Sequence, residues 1–253
     1  MSGIDAVNQF SSPDRGREFV VSGEALWHWW QWARKEAIAH AISPTEADWL
    51  LQALVNLDRL ELRLEFFRER MALRLNVPLD ELTFLWQQRI EHRVPVQYLV
   101  GKVSWRDFAL QVSPAVLIPR PETELIVDLA FQESGGTTEG DWADLGTGSG
   151  AIALGLATAF SNTTIHAVDT SSDALAIAQI NAATYHLTER IQFYQGFWLE
   201  PLAHLKGQLS GIVSNPPYIP SQQVLELQPE VTQHEPHLAL DGGADGLDCI
   251  RHL

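Results

Sequence analysis

Hydrophobic residues recur with two different periods along this chain, and the change of period divides it. Between Glu24 and Asn76 apolar positions fall three or four residues apart. Leu26, Trp29, Trp30 and Ala33 mark one face of a first helix, since residues so separated share one side of a 3.6-residue turn. Ser43-Pro44-Thr45-Glu46 has the form of a capping box with proline at the first helical position, which predicts a second helix start. Leu60, Leu64, Phe67, Met71 and Leu75 follow at spacings of 4, 3, 4 and 4, predicting a third amphipathic helix. Asp80 is placed to cap a fourth, through about Arg93. The expectation is a helical bundle over residues 23–93. Trp27, Trp29, Trp30 and Trp32 read as rings filling its core, and the alternating charges of residues 58–74 as a solvated face. Residues 1–22 carry Ser, Gly, Pro and charge without a period, and read as a flexible lead-in.

From Val94 the period shortens to two. Val94, Val96, Tyr98, Val100, Val103, Phe108, Leu110 and Val112 alternate with polar residues, so residues 94–118 are expected to form a β-hairpin linker. Residues 119–124 then open a helix to about Glu133, and a Gly/Thr loop covers 135–140. Beyond it, predicted strands at 142–146, 164–168, 191–195 and 211–214 are interleaved with helices at 150–159 and 172–184. Such alternation predicts an α/β fold over residues 119–253, a parallel sheet wound with helices on both faces.

Composition narrows the possible partners. At 253 residues the chain is long enough for two domains or one large α/β domain, and 45% apolar residues with nine Trp predict packed cores rather than disorder. Its apolar runs fall short of the roughly 18–20 residues that cross a bilayer, and no charged segment followed by an apolar run opens it; a cytoplasmic protein without a membrane partner is expected. The single Cys249 cannot form an internal disulfide or a Cys-based zinc site; it reads as an ordinary buried thiol, and no metal is expected. Thirty-two acids against 17 bases give a net charge of −15. Nucleic-acid binders gain affinity by neutralising phosphates with Lys and Arg. The partner is therefore expected to be a small molecule or a protein.

Trp142-Ala143-Asp144-Leu145-Gly146-Thr147-Gly148-Ser149-Gly150 reads as a strand, a glycine-rich turn and the start of an Ala-rich helix. Glycines let backbone approach a ligand closely, and a helix N-terminus adds the positive end of its dipole. The spacing G-x-G-x-G differs from the G-x-G-x-x-G of dinucleotide folds. Asp144 precedes the turn, where it can either face a cationic ligand or fix the loop. Asp169 ends the next strand, 19 residues after Gly150, where a carboxylate can accept both hydroxyls of a ribose. Trp198, in the turn after the third strand, is placed to stack on an adenine. Together these predict a nucleoside ligand, and the glycine spacing favours S-adenosylmethionine, bound by Asp144, Gly146, Thr147, Gly148, Ser149, Gly150, Asp169, Trp198 and Asn215.

Ile212-Val213-Ser214-Asn215-Pro216-Pro217-Tyr218 follows the fourth strand. Two prolines fix φ near −65° and hold the preceding Asn extended. The outcome is a rigid segment offering carbonyl oxygens and one amide at the ligand edge of the sheet. Such acceptors suit the two N–H bonds of an –NH2 group, and Tyr218 suits a flat substrate. The lone pair of an amide or aromatic amine is delocalised, so hydrogen bonds that favour a pyramidal nitrogen act on the transition state. Asn215, Pro216, Pro217 and Tyr218 are the expected catalytic and substrate-binding residues.

With these motifs, Leu117-Ile118-Pro119-Arg120-Pro121-Glu122-Thr123-Glu124 and His234-Glu235-Pro236-His237-Leu238-Ala239-Leu240-Asp241-Gly242-Gly243 complete a resemblance to the HemK/PrmC family of protein-(glutamine N5) methyltransferases, over about residues 24–253. The resemblance implies a class I S-adenosylmethionine-dependent methyltransferase with a Rossmann-like doubly wound sheet, behind an N-terminal helical domain that binds the protein substrate. It implies methylation of the Gln in the Gly-Gly-Gln motif of class-1 peptide chain release factors. Ribosomal-protein glutamine methyltransferases rank second, and adenine-N6 nucleic-acid methyltransferases, which share N-P-P-Y, third. Two positions depart from the family pattern: Phe197 where many relatives have Asp, and His237 in place of the commoner Arg. The family continues beyond the fourth strand with three more strands and a helix, so the methyltransferase domain is expected to be truncated at Leu253.

Overall fold

The computed structural model describes residues 19–55, 57–136 and 139–253. Its chain divides into two compact units, Met1–Val100 and Gly101–Leu253. The first unit is built from β1 (Phe19–Val21), α1 (Gly23–Ala39), α2 (Thr45–Val55), α3 (Arg59–Leu64), a 3₁₀ turn at Phe66–Glu69, β2 (Leu73–Leu75), α4 (Leu79–His92) and α5 (Val96–Val100). Helix α1 starts where the Ser22 hydroxyl accepts the Ala25 N–H, and it buries Leu26, Trp29, Trp30 and Ala33, the expected face. The two buried indoles satisfy their N–H groups: Trp29 donates to Thr83 Oγ1 (3.0 Å) and Trp30 to Asp48 Oδ1 (2.6 Å). A large ring can fill a core when its polar handle finds such a partner.

Four expectations for this unit are corrected. The third helix does not run from Leu60 to Leu75. It stops at Leu64, because Glu65 turns left-handed (φ +57°) and its carboxylate accepts the Trp27 indole N–H at 2.7 Å. Leu60, Leu64 and Met71 are exposed, and Leu73–Leu75 instead pairs antiparallel with Phe19–Val21. That pairing removes Phe19, Val20 and Val21 from the lead-in, and Ser22 caps α1; residues 1–18, and part of the 135–140 loop, lie outside the described residues. At Ser43 no capping box forms, since Glu46 turns to Arg89 and accepts from its Nε (2.6 Å) and Nη2 (3.0 Å). Asp80 does not cap α4, which begins at Leu79 with Pro78 at the cap position. A capping box does occur at Asp58 and Glu61, which accept each other's backbone N–H.

In the second unit the hairpin is confined to β3 (Lys102–Trp105) and β4 (Phe108–Gln111), with Val103 opposite Leu110. The linker expected from 94 onward is instead helical at Val96–Val100, where the Pro95 carbonyl accepts from the Tyr98 and Leu99 N–H groups. Proline pre-sets a helical φ at such a start, and a mostly apolar stretch of five residues does not distinguish helix from strand. After a 3₁₀ turn at Pro121–Thr123 come α6 (Glu124–Glu133), β5 (Asp141–Leu145), α7 (Ala151–Ala159), β6 (Ile165–Asp169), α8 (Ser172–Thr184), β7 (Ile191–Gln195) and β8 (Leu209–Ser214), with short helices α9 (Ser221–Val224), α10 (Pro229–His234) and α11 (Asp248–His252). Strands β5 to β8 form one parallel sheet in the order β7-β6-β5-β8. Ala143, Leu145, Ile165, Ala167 and Val168 are buried, as in a sheet covered on both faces. The chain winds outward from β5 to β7 and then returns to the other side of β5. Such a reversal opens a crevice at the carboxyl ends of the two diverging strands, here β5 and β8. Among the described residues no helix is long and apolar enough to cross a membrane.

Candidate active site

Beyond Leu145 the backbone turns through three glycines with positive φ: Gly146 (75°), Gly148 (55°) and Gly150 (82°). A Cβ on Gly150 would stand 3.1 Å from Ala178, whereas one on Gly148 would meet nothing within 4 Å. Gly150 is thus needed for packing of α7 on α8, and Gly148 leaves room for a ligand. The Val168 carbonyl accepts the Gly146 and Thr147 N–H groups at 2.9 and 3.0 Å, stapling the loop to the end of β6.

Asp144 lies beneath this loop, fully covered. Its Oδ2 accepts the Thr147 hydroxyl (2.6 Å) and the Ala153 N–H (3.0 Å), while Oδ1 has no partner among the described residues. Burial pushes its carboxyl up to about 7, against the two hydrogen bonds that favour the anion. Of its two expected roles, the placement matches fastening the loop to the first turn of α7. Asp169 does stand on the cavity wall. Its Oδ2 accepts the Gly148 N–H (2.8 Å) and Oδ1 the Ser171 N–H (2.9 Å), which leaves carboxylate lone pairs free. The cap of α8 is Ser171, not Asp169.

The opposite wall grows from β8. Ser214 Oγ donates to the Leu145 carbonyl at 2.7 Å, tying together the ends of the two diverging strands. The next residue, Asn215, lines the cavity with Pro217, and its amide makes no hydrogen bond among the described residues. Tyr218 is 61% exposed. The segment is braced from behind: Ile219 N–H donates to the Leu240 carbonyl (3.0 Å), and Gly242 N–H to the Ile219 carbonyl (2.9 Å). A Cβ on Gly242 would lie 2.8 Å from Tyr218 Cα and 2.9 Å from the Pro217 carbonyl, so only glycine permits this approach.

Between the walls is a cavity of about 260 Å³. It gathers Gly146, Thr147, Gly148, Ser149, Asp169, Trp198, Asn215 and Pro217 from the residues singled out in the sequence. Asp144, Gly150, Pro216 and Tyr218 are not on its wall. Trp198 takes a left-handed conformation (φ +47°), its buried indole N–H has no partner among the described residues, and its ring lies 3.8 Å from where a Gly146 Cβ would be. Phe197 beside it is on the wall and half exposed.

Sequence reading missed three contributors. Arg120 lines the cavity and its Nη2 donates to both oxygens of Glu235, at 2.7 and 2.8 Å. Asn181, buried inside α8, accepts the Gln111 N–H and donates to the Gln111 and Ser149 carbonyls, joining the hairpin to the glycine loop. An amide within an apolar helix face was its only trace. Cys249, expected to be a buried core thiol, is half-buried on the cavity wall; partial burial, then Asp248 and Asp241, raise its pKa.

A glycine cradle with open space at Gly148, a carboxylate with free lone pairs and an indole N–H unpartnered among the described residues fit a nucleoside. The parallel sheet, its reversal point and this loop define a class I S-adenosylmethionine-dependent methyltransferase. Residues 123–242 match the family model described as "Methyltransferase small domain". The chain is 52% identical over 237 residues to a release factor glutamine methyltransferase of Synechocystis sp., covering 92% of this chain and 79% of that one. It is 50% identical to a protein of the same description in Thermosynechococcus vestitus, with coverages of 92% and 80%. The chain belongs to the release factor glutamine methyltransferase family.

Proposed function

We propose that the protein transfers a methyl group to the side-chain amide nitrogen of the Gln in the Gly-Gly-Gln motif of class-1 peptide chain release factors, in the cytoplasm. One observation carries the reading: Asn215 and Pro217, from the rigid Asn215-Pro216-Pro217-Tyr218 segment, line the same cavity as the glycine loop. When bound, S-adenosylmethionine supplies an electrophilic methyl carbon on its sulfonium. Gly146, Thr147, Gly148 and Ser149 would form the cradle for it, with Gly150 holding α7 against α8 behind them; Asp169 would accept ribose hydroxyls and Trp198 would cover the adenine. Asp144 acts from below by holding the loop. Asn215 and the carbonyls of its segment accept the two N–H bonds of the acceptor amide. Tyr218, exposed at this segment, covers the flat side chain. With both hydrogens held, the nitrogen lone pair is directed at the methyl carbon. These bonds strengthen as nitrogen becomes tetrahedral and positive, which is stabilisation of the transition state rather than of the ground state. The held nitrogen would take the methyl as its bond to sulfur broke, and the surplus amide proton would leave to water.

The test is competition between acceptors. The protein is given a release factor, a ribosomal-protein mixture and duplex DNA together with labelled S-adenosylmethionine. Label in the release factor is expected; label chiefly in ribosomal protein or in DNA overturns the assignment.

A further inference from the structure

Arg120 is the only Lys or Arg on the cavity wall among the described residues. Both bonds it makes run to Glu235, from Nη2 alone. Nε and Nη1 have no partner among the described residues, and 35% of the side chain is exposed, so three N–H donors of the guanidinium fork remain free. Glu235 is different: 2% of its side chain is exposed, and it is not on the wall. Its carboxylate also accepts the Ile118 N–H, and the Arg120 carbonyl accepts the Trp105 indole N–H at 3.1 Å. Guanidinium and backbone are thereby both fixed. The adjoining Pro236 and Leu238 belong to the wall, so this ion pair also ties the wall strap before α6 to the strap after α10.

We infer that Glu235 is a positioning residue, holding the Arg120 guanidinium where its free N–H groups receive the α-carboxylate of the methyl donor's amino-acid moiety. The inference rests on the proposed cofactor site. A cofactor of this class brings one anionic group, the α-carboxylate, into a cavity whose other charged groups, Asp169 and Asp241, are acids. The acceptor amide is neutral and has no call on a cation. A planar fork with spare donors matches a carboxylate, and bonds between such charged groups are the strong class of hydrogen bond. Left alone, Arg120 has rotamers that leave the wall; the buried carboxylate behind it removes them. Burial raises the Glu235 pKa while Arg120 opposes the rise, as expected of an acid placed there for its partner.

Calorimetry on the whole chain separates positioning from mere support. S-adenosylhomocysteine carries the carboxylate, and 5′-methylthioadenosine lacks the amino-acid end. Glu235→Gln is expected to weaken S-adenosylhomocysteine about tenfold and to leave 5′-methylthioadenosine within twofold, with Glu235→Asp recovering part of the loss. Equal weakening of both ligands, or of neither, overturns the positioning role. Failure of both ligands to bind the unaltered protein defeats instead the cofactor site on which it rests. Should Glu235→Gln not fold, Arg120→Lys provides the same contrast, since it keeps the charge and loses the fork.

Discussion

At the scale of single residues, Asn215 and Asp144 carry opposite kinds of role. Asn215 lies on the cavity wall with its amide unengaged among the described residues, so its removal should leave the fold intact. Asn215→Ala is expected to lower kcat by about 10²–10³, the usual cost of one preorganised polar group, while S-adenosylhomocysteine affinity falls by less than about tenfold. Near-normal turnover contradicts the acceptor role. Asp144 is buried, and its effect is on stability. Its carboxyl titrates at an ordinary 3.8 when unfolded and near 7 when folded. A raised folded value means that the native state binds the proton more tightly, so this contribution to stability is fully present below about pH 4 and is lost as pH rises to about 7. Its full size is a few kcal/mol in order of magnitude. Asp144→Asn keeps one oxygen for Thr147 and Ala153 and removes the titration. Thermal melts should then show the unaltered protein losing ground to Asp144→Asn between pH 4 and 7. A constant difference over that window contradicts the shift.

Among elements, the glycine turns separate stability from binding. Gly148→Ala meets open space and only the strain of a positive φ, which costs about 1 kcal/mol; its main effect is expected on S-adenosylhomocysteine affinity, because the new methyl occupies the cradle. Gly242→Ala drives a methyl into the backbone of Pro217, Tyr218 and Gly246. It should cost roughly 1–3 kcal/mol in urea unfolding and slow transfer by displacing the acceptor segment. If the two substitutions behave alike, the wall and brace are wrongly assigned. The α/β half was legible in the sequence, with β5, β6, β7 and α8 within one residue of their expected places. β5 and β6 are nearly buried throughout, and Gly146, Asp169 and Gly196 mark where the three strands end. In the helical half local patterns misled, because tertiary partners outbid them: Glu65 went to Trp27, Glu46 to Arg89, and Leu73–Leu75 to β1. The same holds in the site. Glycines and prolines announce backbone geometry from sequence alone, but the Arg120–Glu235 bond joins residues 115 positions apart and leaves no local sign.

The whole molecule carries a net charge of −15, and its field repels a polyanion. Filter binding to duplex DNA or RNA is expected to be weak, without the steep loss on adding salt that marks phosphate neutralisation. Tight binding with a steep salt slope would bring the adenine reading forward. The family assignment points to one acceptor, a glutamine amide in a protein. The most direct measurement is therefore tandem mass spectrometry of a class-1 release factor after incubation with the enzyme and S-adenosylmethionine. One added methyl on the side-chain nitrogen of the Gly-Gly-Gln glutamine, absent with Asn215→Ala, is the predicted result. A methyl on any other residue, or an unmodified glutamine in a reaction that consumes the cofactor, contradicts it.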